Sequence, residues 1–304
     1  MPNLHDIERR INSVSSTKQI TRTMEMVAAA KIRRATEHVD NATPYAESMM
    51  EMLANVAERV GGSENALLRK HDEVKNVLVV AVVSDRGLAG GFNTNVLRHV
   101  EHLMKDKQAA GAEVKIVACG KKAGGYFTYR KVEPVLEFKD CSADPTVDEA
   151  AAVAAYAIDG YEKGELDEVI VVYNHAKNAA EQTLREELVL PIDTEVLLAD
   201  SGLSPEAQAE TEHASALTGD VVFEPDAAGV LDRLLPAYVR TTIYHALIDS
   251  AAAEQGARRT AMKSATDNAN EVVELLTRLY NRVRQGAITT EISEIVGGAA
   301  ALEE

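Results

Sequence analysis

The sequence predicts an α/β fold in which a Rossmann-like, mostly parallel α/β domain is combined with a long antiparallel coiled coil of the N- and C-terminal helices. Both ends of the 304-residue chain are nearly free of helix breakers and carry apolar residues at helical spacing. The middle alternates β-branched runs with helical segments. With 46% hydrophobic residues, the chain has enough apolar side chains for a sizeable core.

The N-terminal segment is predicted to form one helix from about residue 3 to residue 59. It contains Pro44 and no glycine before Gly61. Its apolar residues fall into three groups at 4,3 spacing, and the phase slips between groups, which predicts shallow winding. The groups are Ile7, Ile11, Val14; Ile20, Met24, Val27; and Ala28, Ile32, Ala35, Val39.

The C-terminal segment is predicted to form the partner helix, from about Asp226 to Gly297. No proline follows Pro236, and at 1.5 Å per residue such a helix is on the order of 100 Å long. Its partner must be comparably long, which indicates the N-terminal helix. The apolar stripe consists of Ala265, Ala269, Val272, Leu276, Leu279, Val283 and Ala287.

The end of the C-terminal helix has no partner within the chain if the inner helix ends are paired. About fifty-five N-terminal residues then cover a similar number on the C-terminal helix, which leaves roughly the last fifteen to twenty uncovered. Residues 281–298, NRVRQGAITTEISEIVGG, lie there. A solvated, frayed tail is one reading. An external protein partner is favoured, because otherwise Ile288, Ile292, Ile295 and Val296 face water.

The middle of the chain reads as alternating strands and helices. Strands are predicted at 76–85, 113–120, 132–140 and 167–175, and residues 184–193 add a possible last strand. Helices are predicted at 93–107 and 146–161, with a helix or turn at 121–129. The predicted organisation is a coiled-coil shaft of residues 1–60 and 222–304, an α/β domain of residues 72–198 and a linker of residues 199–221.

The first strand-to-helix turn, SDRGLAGGFN, is where an α/β sheet would bind phosphate. It contains Asp85, Arg86, Gly87, Gly90 and Gly91. The glycine spacing fits neither GxGxxG nor GxxxxGK[ST], so a structural turn is predicted and nucleotide binding is the alternative.

Other candidate sites are weak. His99, Glu101 and His102 lie on one predicted helix without a third ligand nearby, so solvated histidines are expected rather than a metal site. Cys119 and Cys141 lie outside CxxC spacing and are expected to be buried small hydrophobes. No cofactor is predicted.

Charge and hydropathy limit the possible partners. The net charge is −16, but residues 1–35 contain seven Lys or Arg and three acidic residues. This distribution argues against nucleic acid and favours an acidic protein surface opposite the N-terminal segment. The longest apolar run, residues 77–83, is too short to span a bilayer, so no direct lipid insertion is expected.

Three separated segments together resemble the gamma subunits of bacterial F-type ATP synthases. They are INSVSSTKQITRTMEMVAAAKIRRA near the N-terminus, SDRGLAGGFN in the middle and AEQGARRTAMKSATDNANEVVELLTRLYNRVRQGAITTEISEIVGGAAAL near the C-terminus. The resemblance covers essentially the whole chain, and the order of the segments makes it specific.

The resemblance implies a non-catalytic central-stalk rotor that binds no nucleotide. Such a subunit is present in one copy, turns inside a ring of three alpha and three beta subunits, and contacts epsilon and the membrane c-ring. Its rotation couples proton flow, or sometimes sodium flow, to ATP synthesis, and it turns in reverse during hydrolysis. The implied location is the cytoplasmic face of the bacterial plasma membrane, as a peripheral protein.

The resemblance also implies which residues make the coupling contacts. Arg284, Gln285, Thr289 and Glu291 correspond to the family's polar contact with the beta subunits. A lower contact region, facing an acidic beta-subunit segment, corresponds to Lys18, Arg22, Met24 and Arg258. Periodicity alone also allows Met24 to be core filler.

Two readings of another class remain open. One is a nucleotide-binding α/β protein with helical arms, which needs a nucleotide or metal site. The other is a coiled-coil adaptor unrelated to ATP synthase, which predicts a homodimer formed through the terminal helices.

Overall fold

The computed structural model describes residues 3–60, 65–71, 73–193 and 226–302. The predicted linker, residues 199–221, lies outside this part of the chain. Two helices dominate the fold, α1 (Leu4–Val60) and α5 (Ala227–Leu302), and α5 is 76 residues long. Both predicted long helices are confirmed.

The chain divides into two compact units. The coiled-coil unit consists of residues 1–30 and 258–304, and the α/β unit consists of residues 31–257. The inner parts of α1 and α5 therefore belong to the α/β unit. The domain limits predicted from the sequence, at residues 60 and 222, divide the chain differently and remain a prediction.

The α/β unit is built on a five-stranded sheet with the order β3-β2-β1-β4-β5. Its strands are β1 (Asn76–Val82), β2 (Glu113–Cys119), β3 (Leu136–Phe138), β4 (Glu168–Ala176) and β5 (Gln182–Leu190). The first four strands are parallel, and β5 pairs with β4 antiparallel. The predicted mostly parallel sheet is confirmed, including its possible last strand.

Three shorter helices connect the strands: α2 (Phe92–Ala109), α3 (Lys121–Tyr129) and α4 (Val147–Glu162). A single turn of 3₁₀ helix, Ala66–Leu68, precedes β1. The segment 121–129, predicted as helix or turn, is a helix. The start of α4 is fixed by a capping box, in which the Thr146 hydroxyl accepts from the Glu149 N–H and the Glu149 carboxylate accepts from the Thr146 N–H.

Alternate residues of the central strands face two different apolar layers. On one side, Val77 and Val79 pack in a cluster with α2 and α3. On the other, Leu78 and Val80 pack in a cluster with α4, the end of α1 and the start of α5. The sheet is thus covered on both faces, as expected for a parallel sheet.

Gly120 joins β2 to α3 at a position that accepts no side chain. Its φ is +98°, and a Cβ atom there would lie 2.2 Å from the carbonyl oxygen of Val83. Gly111 has a similar φ of +92° but no atom within 4 Å of its would-be Cβ. A comparison of the two glycines therefore distinguishes the cost of a positive φ, which both have, from the cost of a steric clash, which only Gly120 has.

We predict that Gly120→Ala destabilises the protein far more than Gly111→Ala. Gly111→Ala should cost about 1–2 kcal/mol of unfolding free energy, from the positive φ alone. Gly120→Ala should cost roughly 3 kcal/mol or more, because the backbone must also move away from the new methyl group. Urea unfolding of the two variants measures the difference, and equal costs would contradict the steric argument.

Candidate functional site

The coiled-coil unit has one regular seam on each helix. In α1 the less exposed positions include 7, 11, 14, 18, 21, 25 and 28, an unbroken 4,3 repeat. In α5 they include 262, 266, 269, 273, 276, 280 and 283. Thr21 and Thr266 meet across the seam, with their hydroxyl oxygens 2.8 Å apart, and both residues are buried. This pair fixes the antiparallel register.

The observed seam corrects two sequence predictions. The predicted phase slip in α1 is wrong, because Ile20 and Val27 are 60% and 51% exposed while the polar Lys18 and Thr21 occupy the seam. The predicted α5 stripe is wrong at Val272 and Leu279, which are exposed, and at Ala287. Val273 and Tyr280 take the seam positions instead. Apolar residues alone are therefore a poor guide where polar side chains fill the seam.

The register shows where the intramolecular pairing ends. Leu4 lies seventeen residues before Thr21, and Val283 lies seventeen residues after Thr266, so Leu4 and Val283 are opposite each other. Both are partly buried, whereas all thirteen residues from Arg284 to Val296 are exposed. The predicted uncovered end of the C-terminal helix is confirmed; we call residues 284–296 the tip.

The tip contains the four residues implied to contact the beta subunits. Arg284, Gln285, Thr289 and Glu291 are all exposed. The Thr289 hydroxyl donates to the Gln285 carbonyl at 2.9 Å, as hydroxyls elsewhere in this unit do four residues back. The Thr289 hydroxyl oxygen can therefore accept a hydrogen bond from a partner, and the side chains of Arg284 and Gln285 can donate N–H groups to that partner.

The lower contact residues are arranged along α1 rather than at one point. Lys18 and Met24 are partly buried, and Arg22 is exposed. Arg258, also partly buried, lies eight residues before Thr266, so in this register it faces α1 eight residues beyond Thr21. Arg258 is thus closer along the axis to Met24 than to Lys18. Partial burial of Met24 is compatible with packing and with partner contact.

In the α/β unit, the turn after β1 is held by its own side chains. The Asp85 carboxylate accepts from the backbone N–H groups of Lys121, Asp140 and Ser142 at 2.9–3.0 Å. Burial raises the pKa of Asp85, but these three N–H groups and the Ser142 hydroxyl lower it by more, so the net shift of the pKa is downward from its usual value. The Asp85 carboxylate thus satisfies the first N–H group of α3 and two N–H groups after β3, and so ties the turn after β1 to both segments.

Two glycines and the arginine of the same turn have local structural roles. Gly90 has a φ of +58°, and Gly91 precedes the first residue of α2. The carbonyl of Arg86 accepts from the side-chain amide of Asn93 at 3.2 Å. Gly87 has open space around its would-be Cβ. These observations fit the predicted structural turn.

The crevice beside the turn is also occupied, by α5. Ligands of open α/β sheets bind outside the carboxyl ends of the strands, where neighbouring crossovers diverge. Here Ala89 and Phe92, which follow β1, pack against Ala253 and Ala257 of α5. Helix α5 thus occupies the crevice in which other open α/β sheets bind a ligand.

The other candidate sites have structural partners. His99 lies 2.6 Å from Glu186 of β5, and the Tyr126 hydroxyl, together with Lys105 and Arg130, lowers the pKa of Glu101 to about 2. Within the described residues, no group of three or more His, Cys, Asp or Glu side chains is placed to hold a metal ion. Cys119 and Cys141 are buried free thiols, as predicted, and burial raises the pKa of Cys141 to about 12.

Sequence reasoning missed a buried contact between β4 and α5. The Asp249 carboxylate of α5 lies 2.6 Å from Nδ1 of His175 and accepts from the Ala176 N–H at 2.9 Å. The pair is separated by 74 residues, and neither residue stands in a motif. No local signal in the sequence identifies it.

Comparisons with known proteins agree on one family. A family model described as ATP synthase matches residues 3–302. The ATP synthase gamma chain of Desulforamulus reducens is 42% identical over 100% of both chains, and that of Leptospira biflexa is 39% identical over 98% of both. The gamma chain of Acetobacterium woodii, described as sodium ion specific, is 39% identical over 99% of both.

Solved structures show the same fold. A chain from the central stalk and c-ring of Tetrahymena thermophila mitochondrial ATP synthase matches with a TM-score of 0.57 and 24% identity, over 81% of this chain and 99% of that one. A chain of the Euglena gracilis mitochondrial ATP synthase matches with a TM-score of 0.63 and 20% identity, over 98% and 94%.

We predict that Thr21 and Thr266 are energetically coupled. A double-mutant cycle with Thr21→Val and Thr266→Val should give a coupling of about 1 kcal/mol, because either single change leaves a buried hydroxyl without its partner across the seam. Urea unfolding measures each variant. The hydroxyls of the exposed Thr23 and Thr277 also donate within their own helices, as those of Thr21 and Thr266 do, but in this register the two residues are not opposite each other, so they serve as an uncoupled control pair. A coupling equal to that of the control pair would show that the hydroxyl contact does not stabilise the pairing of the two helices.

We predict that the contribution of Asp85 to stability depends on pH. At neutral pH, Asp85→Asn should lower the free energy of unfolding by about 2 kcal/mol. The loss is modest because the carboxyl is partly exposed. Since the folded pKa is below the unfolded one, this stability is complete above the unfolded pKa of about 4 and is lost as pH falls through the folded value. Denaturant unfolding at pH 7 and near pH 3 checks this, and an unchanged cost at the lower pH would contradict it.

Proposed function

Because this chain belongs to the ATP synthase gamma chain family, we propose that it is the central-stalk rotor subunit of a bacterial ATP synthase. It turns inside a ring of three alpha and three beta subunits. Its rotation couples transmembrane ion flow to ATP synthesis, and hydrolysis drives it in reverse.

The exposed tip is the observation that carries this proposal. A helix end that its own chain leaves uncovered, yet which bears Ile288, Ile292 and Ile295 at 47–66% exposure, is suited to a protein partner. In the rotor that partner is the inner surface of the ring. Arg284, Gln285, Thr289 and Glu291 lie among these apolar residues and supply the polar contacts to the beta subunits.

The lower contact region completes the proposed interface. Lys18 and Arg22 are cationic, Met24 is adaptable, and Arg258 adds a guanidinium on α5. An acidic beta-subunit segment would meet these residues through charge-assisted hydrogen bonds. Arginine and lysine near the surface also steer an acidic partner during assembly.

The subunit itself is proposed to be non-catalytic. The turn after β1, where an α/β sheet would bind phosphate, packs against α5 through Ala89 and Phe92, and the Asp85 carboxylate of that turn is engaged by the first N–H group of α3. The chain contributes to an ATPase complex by coupling, while nucleotide is bound and hydrolysed on its partners. This filled crevice argues against the alternative of a nucleotide-binding α/β protein.

One copy per complex, at the cytoplasmic face of the plasma membrane, completes the proposal, with epsilon and the c-ring as further partners. Among the described residues, no helix is long and apolar enough to cross a membrane.

We predict that the tip is required for torque. Matched alpha and beta subunits should hydrolyse ATP steadily with the full chain, whereas truncation after Val283 should weaken assembly or torque because the uncovered helix end is lost. Arg284→Ala should lower torque by removing a donor to the beta subunits. The rate of ATP turnover should fall roughly tenfold, the factor expected from the loss of one charged hydrogen bond.

Arg282→Ala is the matched control for Arg284→Ala. Arg282 is exposed on the same helix, but two residues place its side chain about 200° around the axis from Arg284. Single-molecule rotation and ATPase assays distinguish the two variants. If the full chain neither joins the ring nor changes its turnover, the rotor function is wrong, and a homodimer in its place would favour the coiled-coil adaptor.

A further inference from the structure

One stretch of α5 is buried on every side within the α/β unit. All twelve residues from Ala246 to Ala257 are buried, including the polar Asp249, Ser250, Glu254 and Gln255. A helix packed against one sheet normally buries an apolar stripe and leaves its polar residues outside. Burial of four polar side chains in so short a segment indicates specific contacts rather than general packing.

Asp249 is the best defined of these contacts. The residue is 2% exposed, and both of its carboxylate oxygens are engaged by the carboxyl end of β4. Oδ1 accepts from the backbone N–H of Ala176 at 2.9 Å, and Oδ2 lies 2.6 Å from Nδ1 of His175. One side chain thus links the long helix to the backbone and to a side chain of a central strand.

The backbones of the two elements also approach closely near Asp249. A Cβ atom on Gly256 would lie 3.2 Å from the carbonyl oxygen of Ala179, just after β4. The small side chains of Ala253 and Ala257 admit Phe92. The carbonyl of Phe92 in turn accepts from the buried side-chain amide of Asn174 in β4 at 3.0 Å. The turns after β1 and β4 therefore hold the same segment of α5.

We infer that this contact, between residues 249–257 of α5 and the carboxyl ends of β1 and β4, transmits torque between the α/β unit and the shaft helix. We call it the joint. Asp249 is its positioning residue. The inference rests on the proposed rotor function, in which the α/β unit meets the membrane rotor and α5 continues into the part that turns inside the ring.

The chemistry of the joint suits a load that twists or slides a helix. Apolar contacts are non-directional, so a helix held only by them resists separation more than rotation about its axis. Hydrogen bonds weaken steeply when their angles or distances change. Two of them on one buried carboxylate oppose both rotation and sliding of α5 against β4.

Stability alone gives little reason for a buried carboxylate here. Replacing a buried ion pair with apolar residues of similar volume is often neutral or stabilising. The specific gain from Asp249 is a fixed angular position of α5, which an apolar side chain would not provide. A rotor requires that fixed angle, because its coupling depends on the orientation of the shaft relative to the part that receives the ion-driven rotation.

The test compares hydrolysis with coupling in the complete complex in membrane vesicles. With Asp249→Ala, ATP hydrolysis by the alpha-beta-gamma assembly should stay within about twofold of wild type, while ion-driven ATP synthesis falls roughly tenfold, the factor expected from losing a buried charged hydrogen bond. Gly256→Val should act in the same direction by forcing α5 away from Ala179. Asp249→Asn keeps an acceptor for the Ala176 N–H and should restore part of the synthesis.

Val96→Ala is the control for general destabilisation. Val96 is fully buried on α2, in the apolar layer on the other side of the sheet from α5. A Val96→Ala complex with the same loss of thermal stability should keep its ratio of synthesis to hydrolysis. The joint is refuted if Asp249→Ala remains coupled, or if Val96→Ala uncouples equally. If the wild-type chain itself supports neither assembly nor hydrolysis, the rotor function fails instead.

Discussion

The fold depends on the burial of the 76-residue helix α5, because in proteins most helical stability comes from tertiary packing rather than from intrinsic helix propensity. The burial of α5 changes in steps along its length. Every residue is buried from 246 to 257, fewer than half are covered from 262 to 283, and none is covered from 284 to 296. One helix is thus a core element, then half of a coiled coil, then a bare surface. These three sections suit three different proposed roles, as the joint, the shaft and the contact with the ring.

The α/β unit uses a ligand-binding architecture to hold a helix of the same chain. In sheets of this kind the carboxyl ends of the strands form a crevice lined by free backbone N–H groups. Here Asp85 satisfies three N–H groups that follow β2 and β3, and Ala253 and Ala257 pack against Ala89 and Phe92 after β1. The crevice that would otherwise position a nucleotide positions the long helix instead. A Rossmann-like topology is therefore consistent with a coupling role, because the crevice at the carboxyl ends of the strands can hold a helix instead of a cofactor.

The sequence predicts the elements well and their contacts poorly. Strands rich in β-branched residues, such as β1 and β4, and two long helices with a single proline each follow from local pattern, and they lie at the predicted places. Periodicity assigns the exposed Ile20 and Val27 to the seam of α1, because Lys18 and Thr21 fill positions where apolar residues are expected. The contact of Asp249 with His175 joins residues that are 74 positions apart, and no periodic pattern in the sequence indicates it. The tip residues follow from a family resemblance, and only the uncovered length of α5 follows from residue counting.

The tip combines two opposed demands. A deep apolar contact with the ring, at roughly 25 cal/mol per Å², would hold the shaft in one orientation and hinder rotation. Yet Ile288, Ile292 and Ile295 are exposed, and at about 100° per residue they share one side of the helix with Arg284, Gln285 and Glu291. The other side carries small residues, among them Gly286, Thr290 and Ser293. Such a helix makes stronger contacts on one side than on the other, so its interaction with a three-fold ring changes with angle. Under the proposed function, that inequality is what lets one rotating helix place three identical beta subunits in different states.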